Sequence, residues 1–139
     1  MTPTVVLVHG AFGDAAAWIG VISELRSRGI PVIAPPNPLR GLASDAAYLT
    51  SVVSQIPGPV LLVGHSYGGA LITVAGAAAN VVGLVYIAAY VLHEGESLGD
   101  LERRFPDSSL AGNLKTWTYP LVDGDFAVEV TIDEAAFPA

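Results

Sequence analysis

The stretch LLVGHSYGG, Leu61 to Gly69, sets one serine between two glycines, Gly64 and Gly68. A serine hydroxyl is a weak nucleophile until a base within hydrogen-bond reach takes its proton and a third group orients that base. Three histidines, His9, His65 and His93, are the candidate bases in the chain. His65 immediately precedes the serine, and sequence neighbours seldom reach the geometry that proton transfer needs. Its side chain is expected to point away from the serine's face. His9 opens HGAF and is expected to order that loop by hydrogen bonds.

The Gly-x-Ser-x-Gly pattern follows an apolar run and precedes an alanine-rich one, the context that a nucleophile elbow requires. The glycines have a physical reason. The turn is tight and the serine's backbone strained, so bulky side chains cannot flank it. A serine at a helix N-terminus also lies near free N–H groups and the positive end of the helix dipole, which favour a developing oxyanion. A phosphate-binding loop fits less well, since GHSYGG has neither the P-loop lysine nor GxGxxG spacing.

The elements that must position this turn are legible from periodicity. Thr4–Val8 reads as a strand and HGAFGD as a loop. Asp14 is a candidate cap for a helix with Trp18, Val21, Ile22 and Leu25 on one face. Trp18 is expected in the core. Ile30–Ala34 reads as a second strand and PPNPLRG as a loop dense in turn formers. Ser44 or Asp45 is expected to cap the next helix, with Leu49, Val52, Val53 and Ile56 on one face and Pro57 ending it. Val60–Val63 is the third strand, Ser66 to about Ala79 a helix, and Val81–Ala88 the fourth strand. Alternation of strand and helix implies a mostly parallel sheet with helices on both faces, an α/β fold. Beyond His93 the chain turns polar. Then TWTYPLV and DFAVEVTID read as a hairpin closed by a two-residue Asp123-Gly124 turn, with Pro120 on an edge strand. Residues 133–137, DEAAF, read as the start of a helix.

VLVHGAFGDAAAW and LLVGHSYGG together resemble the α/β-hydrolase superfamily, over Thr4 to about Val91. The spacing from His9-Gly10 to Trp18 is similar to the methyl-ester esterase and hydroxynitrile lyase branch. The resemblance implies a sheet ordered second, first, third, fourth strand, with the first and third flanking the switch point where open α/β sheets bind ligands. It implies Ser66 as nucleophile. It also implies an oxyanion hole built from the backbone N–H of Tyr67 and of Ala11, with Phe12 as the alternative to Ala11. Tyr90, just beyond the fourth strand, is a candidate pocket residue, although core packing is an equal reading of it.

In this fold the triad runs in chain order Ser, acid, His. After Ser66 the only histidine is His93, and Tyr67 to Leu92 hold no Asp or Glu. Asp100, Asp107, Asp123 and Asp125 follow His93 and would need a reversed order, which other folds do use. The expected reading is therefore residues 1–93 as the N-terminal part of an α/β-hydrolase core and 94–139 as the start of a lid. The acid and histidine are expected beyond Ala139. The fourth strand, apolar on both faces, would otherwise be an exposed edge, which proteins avoid. The partner this implies is the remaining C-terminal part of the same protein.

Composition excludes several other classes. The chain has 139 residues, a net charge of −7 and six basic residues with no basic run, so nucleic acid is not an expected partner. It has no cysteine, and its histidines lack zinc-ligand spacing, so neither disulfides nor a metal site are expected. Ala70–Leu92 is long and uncharged enough to span a bilayer. Asn80 and Gly83 interrupt it, however, and an alanine-rich half precedes a β-branched half, so a buried helix followed by a buried strand is expected, with no membrane partner. MTPTVVLVHG lacks the basic start and long apolar core of a signal peptide, which suggests a cytoplasmic protein. The expected activity is hydrolysis of a small carboxylic ester without a cofactor. Lyase-type proton transfer on the same scaffold, and ligand binding without catalysis, are the two alternatives.

Overall fold

The computed structural model describes residues 1–106 and 108–136; Asp107 and residues 137–139 lie outside the described set, as does the side chain of Glu134. The chain divides into two compact units, Met1–Leu98 and Gly99–Ala139.

In the first unit, β1 (Thr4–Val8), β2 (Val32–Ile33), β3 (Val60–Ser66) and β4 (Val81–Ala89) form one sheet in the order β2-β1-β3-β4. All three pairings are parallel. The expected order and the expected parallel sheet are both present. The helices are α1 (Ile19–Ser27, entered through a 3-10 turn at Ala15–Trp18), α2 (Leu42–Ser54) and α3 (Tyr67–Ala75). Strand alternation sends successive side chains to opposite faces. On one face Val5, Leu7, Val63 and Val32 pack with Trp18, Ile22 and Leu25. On the other, Val6, Val8, Val60 and Leu62 pack with Ala46, Leu49, Val53, Leu71, Ile72 and Ala75 of α2 and α3. Because both faces of β1 and β3 are covered, these strands read as continuous apolar runs.

Local signals account for some of the boundaries, and others depart from them. Asp14 caps the 3-10 turn, accepting from the Ala16 N–H at 2.7 Å. Val21 departs from its expected place on the apolar face of α1 and is exposed. Neither Ser44 nor Asp45 is the cap of α2. Gly41 holds that position with φ 139°, and Asp45 reaches back from inside the first turn to the Arg40 and Gly41 N–H groups. The third helix ends at Ala75, four residues before its expected end. The chain from Ala70 to Leu92 is a helix end followed by β4, and among the described residues no helix is long and apolar enough to cross a membrane. Asn80, in the connection, donates to the Val53 and Ile56 carbonyls and so satisfies the end of α2. β4 is the edge strand of the described sheet, with Val82, Val85 and Ile87 exposed.

In the second unit, β5 (Leu114–Pro120) and β6 (Phe126–Ile132) form the expected antiparallel hairpin. Its turn differs from the expected two-residue type. Leu121 N–H donates to Asp125 O, Gly124 N–H donates to Leu121 O, and of the Asp-Gly pair only Gly124 has positive φ, at 91°. A two-residue type I′ turn needs positive φ at both central positions, so the loop closes instead as a longer turn ending in a left-handed glycine. The expected helix start at Asp133 is a 3-10 turn over Glu134–Ala136; Phe137 lies outside the described residues.

Candidate active site

Ser66 is the last residue of β3 and Tyr67 the first of α3, so strand becomes helix within one step. Ser66 has φ 52° and ψ −123°, a conformation that a residue with a Cβ adopts only under strain. The flanking positions leave no room for side chains. A Cβ on Gly64 would stand 2.6 Å from the Gly68 carbonyl oxygen, and a Cβ on Gly68 only 2.4 Å from the Val8 carbonyl oxygen. The first turn of α3 is thus wedged against the end of β1. β4 yields on the other side. Its register slips between the pairs His65–Ile87 and Ser66–Ala89, leaving Ala88 as an extra residue with φ 42°. Such bulges re-aim the chain beside functional sites. Here the bulge carries Tyr90 N–H to the Ser66 carbonyl, at 3.1 Å.

The loop after β1 lies on the same turn. A Cβ on Gly10 would be 2.9 Å from the Ser66 Cβ, so Gly10 abuts the serine. Ala11 follows, half-buried, and Phe12 is exposed. This is the switch point: β1 leads to a helix on one face and toward β2, β3 to a helix on the other and toward β4.

His9 is buried, and both its ring nitrogens are engaged. Nε2 accepts from the Asn37 N–H at 3.0 Å, which leaves the proton on Nδ1, bonded to the Gly10 carbonyl at 2.8 Å. The Asn37 side chain donates in turn to the His9 carbonyl. His65 is exposed and sets its ring edge-on to Trp18, with centroids 6.4 Å apart. Trp18 is buried in the core, and its Nε1 has no hydrogen-bond partner among the described residues. His93 is exposed and forms a local turn, its N–H donating to the Glu96 carboxylate and its carbonyl accepting from the Glu96 N–H. Among the described residues, no hydrogen bond joins Ser66 to a histidine. Asp100 pairs with Arg103, and Asp123 accepts from the Asp125 N–H, each within its own segment. Asp107 lies outside the described residues.

Two buried polar residues at the site carried no functional signal in the sequence. Asn37 looked like one turn former among several. Asp45 looked like a helix cap. Asp45 is fully buried and accepts the Tyr67 hydroxyl at 2.9 Å as well as the Arg40 and Gly41 N–H groups. Burial, and then the hydrogen bond and charge of Asp45, hold the Tyr67 phenol above its ordinary pKa of 10.0. No group of three or more potential metal ligands gathers among the described residues.

Residues 5–138 match the model of the alpha/beta hydrolase family. The chain belongs to that family. It is 31% identical to a probable hydrolase, R7, from a Phoma species, over 93% of this chain and 56% of that protein. It is 33% identical to a carbendazim hydrolyzing esterase from a Nocardioides species, over 67% of this chain and 44% of that esterase. Among solved structures, an extracellular alpha/beta-hydrolase from a Paenibacillus species superposes with a TM-score of 0.67 at 26% identity, covering 79% of this chain and 49% of that one. That protein is said to share structural and functional homology with tobacco salicylic acid binding protein 2. A pyrethroid hydrolase from Sphingobium faniae superposes at 0.54 with 26% identity, over 64% of this chain and 40% of that one. The chain therefore spans about half the length of the relatives it matches.

Proposed function

We propose that this chain carries the nucleophile and the oxyanion hole of a serine esterase acting on a small, largely apolar carboxylic ester. The observation that carries the reading is the backbone of Ser66, held at φ 52° at the head of α3 with Gly10 against its Cβ. Strain of this kind persists only where the surrounding structure imposes it, and it clusters at reactive positions. In the proposed reaction the Ser66 Oγ bonds to the ester carbonyl carbon while its proton passes to a histidine. The oxyanion is received by the N–H of Tyr67 and of Ala11, with Phe12 as the alternative to Ala11. Collapse expels the alcohol, which leaves with the proton from the histidine. Water then attacks the acyl-enzyme with the histidine as base. Tyr90 is proposed to border the acyl pocket.

The acid and the histidine are proposed to come from chain beyond Ala139, with residues 94–139 as the start of a lid. Two observations support this. The match extends over only about half of each relative, and β4 presents Val82, Val85 and Ile87 to solvent. The ester class draws support from the relative named as an esterase. A cytoplasmic location is a further proposal, tested by fractionation.

The test uses the complete protein. A fluorophosphonate is expected to label Ser66, and the label and p-nitrophenyl ester turnover are both expected to vanish in Ser66→Ala. Removing the nucleophile should cost about six orders of magnitude in kcat. Labelling with cyanohydrin cleavage but no ester turnover would favour lyase chemistry. Absence of labelling and turnover would favour a ligand-binding protein.

A further inference from the structure

Resting on the esterase reading, the two oxyanion donors must converge on one oxygen, yet they come from different strands. The ladder between β1 and β3 ends at the pair Val8–Gly64. Beyond that pair, one donor rides on the loop at His9–Ala11 and the other on Tyr67. A backbone amide useful to a transition state must be held where the charge develops, before it develops. Something past the end of the ladder must therefore set the spacing.

We propose that Asn37 and Asp45 are positioning residues, joined by the Asn37–Gly41 loop into a tie that holds both oxyanion-hole amides in register. At one end Asn37 grips the first loop twice: its N–H donates to His9 Nε2 at 3.0 Å and its side chain to the His9 carbonyl at 3.3 Å. At the other end Asp45 accepts the Tyr67 hydroxyl at 2.9 Å. The same carboxylate accepts from the Arg40 N–H at 3.1 Å and the Gly41 N–H at 3.3 Å, so the far end of the loop is bound to the group that binds Tyr67. The span between the two grips is stiff. Pro38 fixes φ within it, Pro35 and Pro36 fix φ immediately before Asn37, and the Leu39 N–H bonds back to the Asn37 side chain. Leu39 sits at φ 55°, a conformation costly for a leucine and maintained by the contacts around it.

A purely structural account is weaker. A buried carboxylate is expensive to desolvate, and a well-packed apolar set of similar volume is often at least as stable. A carboxylate kept at 1% exposure, bonded at once to the residue after the serine and to the end of the loop that grips His9, is better explained by placement than by stability.

The experiment compares the complete wild-type protein with Tyr67→Phe, Asp45→Asn and Asn37→Ala. Active sites are titrated with the fluorophosphonate, and kcat for a p-nitrophenyl ester is expressed per titrated site. Affinity is measured for an alkyl trifluoromethyl ketone, whose adduct carries the oxyanion. Displacing one donor is expected to lower kcat per site by about tenfold or more, with ketone affinity falling in parallel. KM should stay within about threefold, because the ground-state ester does not use the hole fully. Tyr67→Phe removes one hydroxyl and keeps the ring, so it reports even where Asn37→Ala fails to fold. A lower melting temperature and fewer titratable sites, with kcat per site and ketone affinity unchanged, would show a structural role only and overturn the tie. A wild-type protein that neither labels nor turns over ester overturns the esterase reading, and the tie with it.

Discussion

Replacing Ser66 by alanine and by glycine separates the hydroxyl from the backbone it rides on. Both variants lose the nucleophile. Alanine keeps a Cβ at φ 52° and ψ −123°, whereas glycine adopts that region without strain. Such strain costs of the order of 1–3 kcal/mol. Glycine returns about 0.4–1 kcal/mol of this by its greater freedom in the unfolded chain. The net expectation is that Ser66→Gly is more stable than Ser66→Ala by about 1 kcal/mol. In a protein of the relatives' length that is a rise in melting temperature of roughly 2–4 °C. Urea unfolding of the two variants at one protein length, with equal slopes, measures the difference directly. Equal stability, or a less stable glycine variant, would refute the claim that the turn stores strain at the serine. The same reasoning would then fail at Ala88, where the bulged residue sits at φ 42°.

Two glycines should respond oppositely to alanine. A Cβ on Gly68 meets the Val8 carbonyl oxygen at 2.4 Å, so Gly68→Ala should destabilise by about 1–3 kcal/mol or more and slow labelling of Ser66. A Cβ on Gly20, near the start of α1, meets nothing within 4 Å, so Gly20→Ala should stabilise by about 0.5–1 kcal/mol in the same melts. The raised pKa of Tyr67 predicts alkaline instability. Its contribution is fully present below pH 10, the unfolded value, and is lost as pH rises toward the higher folded value; Tyr67→Phe should flatten stability against pH in that window. Asp133 has the opposite sign. Lys115, and then the Ala135 N–H, hold its carboxyl below the usual range, so its contribution exists above that range and fades as pH falls through the folded value. The group is exposed, so Lys115→Ala should move the carboxyl's titration by NMR upward toward its ordinary range, short of it because the Ala135 N–H bond remains, while leaving the melting temperature nearly unchanged.

The strands of the sheet were legible because apolar runs buried on both faces stand out from the polar loops between them, while their order was implied by the family resemblance rather than by the runs. The turn at Ser66 was legible because crowding demands glycine at Gly64 and Gly68, and glycine leaves a visible spacing. The hairpin was legible as an element, but its turn was not: Asp-Gly serves a two-residue loop or the end of a longer one, and only the pairing of Leu121 with Asp125 decides between them. Element ends moved where tertiary contacts overrode local pattern. Asp45, for example, holds the loop before α2 from within the helix rather than from its cap.

Asn37 and Asp45 were illegible for a different reason. A buried polar side chain differs from an exposed one only in its partners, and those partners are 28 residues away for Asn37 and 22 for Asp45. Nothing in PPNPLRG or LASDAAY encodes such a separation. Yet these are the contacts that join the two loops past the end of the β1–β3 ladder. The strained serine reveals itself through the small residues it requires around it, whereas the groups that hold the strain in place are ordinary polar residues, visible only once the chain has folded. The chemistry proposed for this turn thus rests on a motif that one segment can carry and on a proposed tie that takes three: the first loop, the Asn37–Asp45 segment and the head of α3.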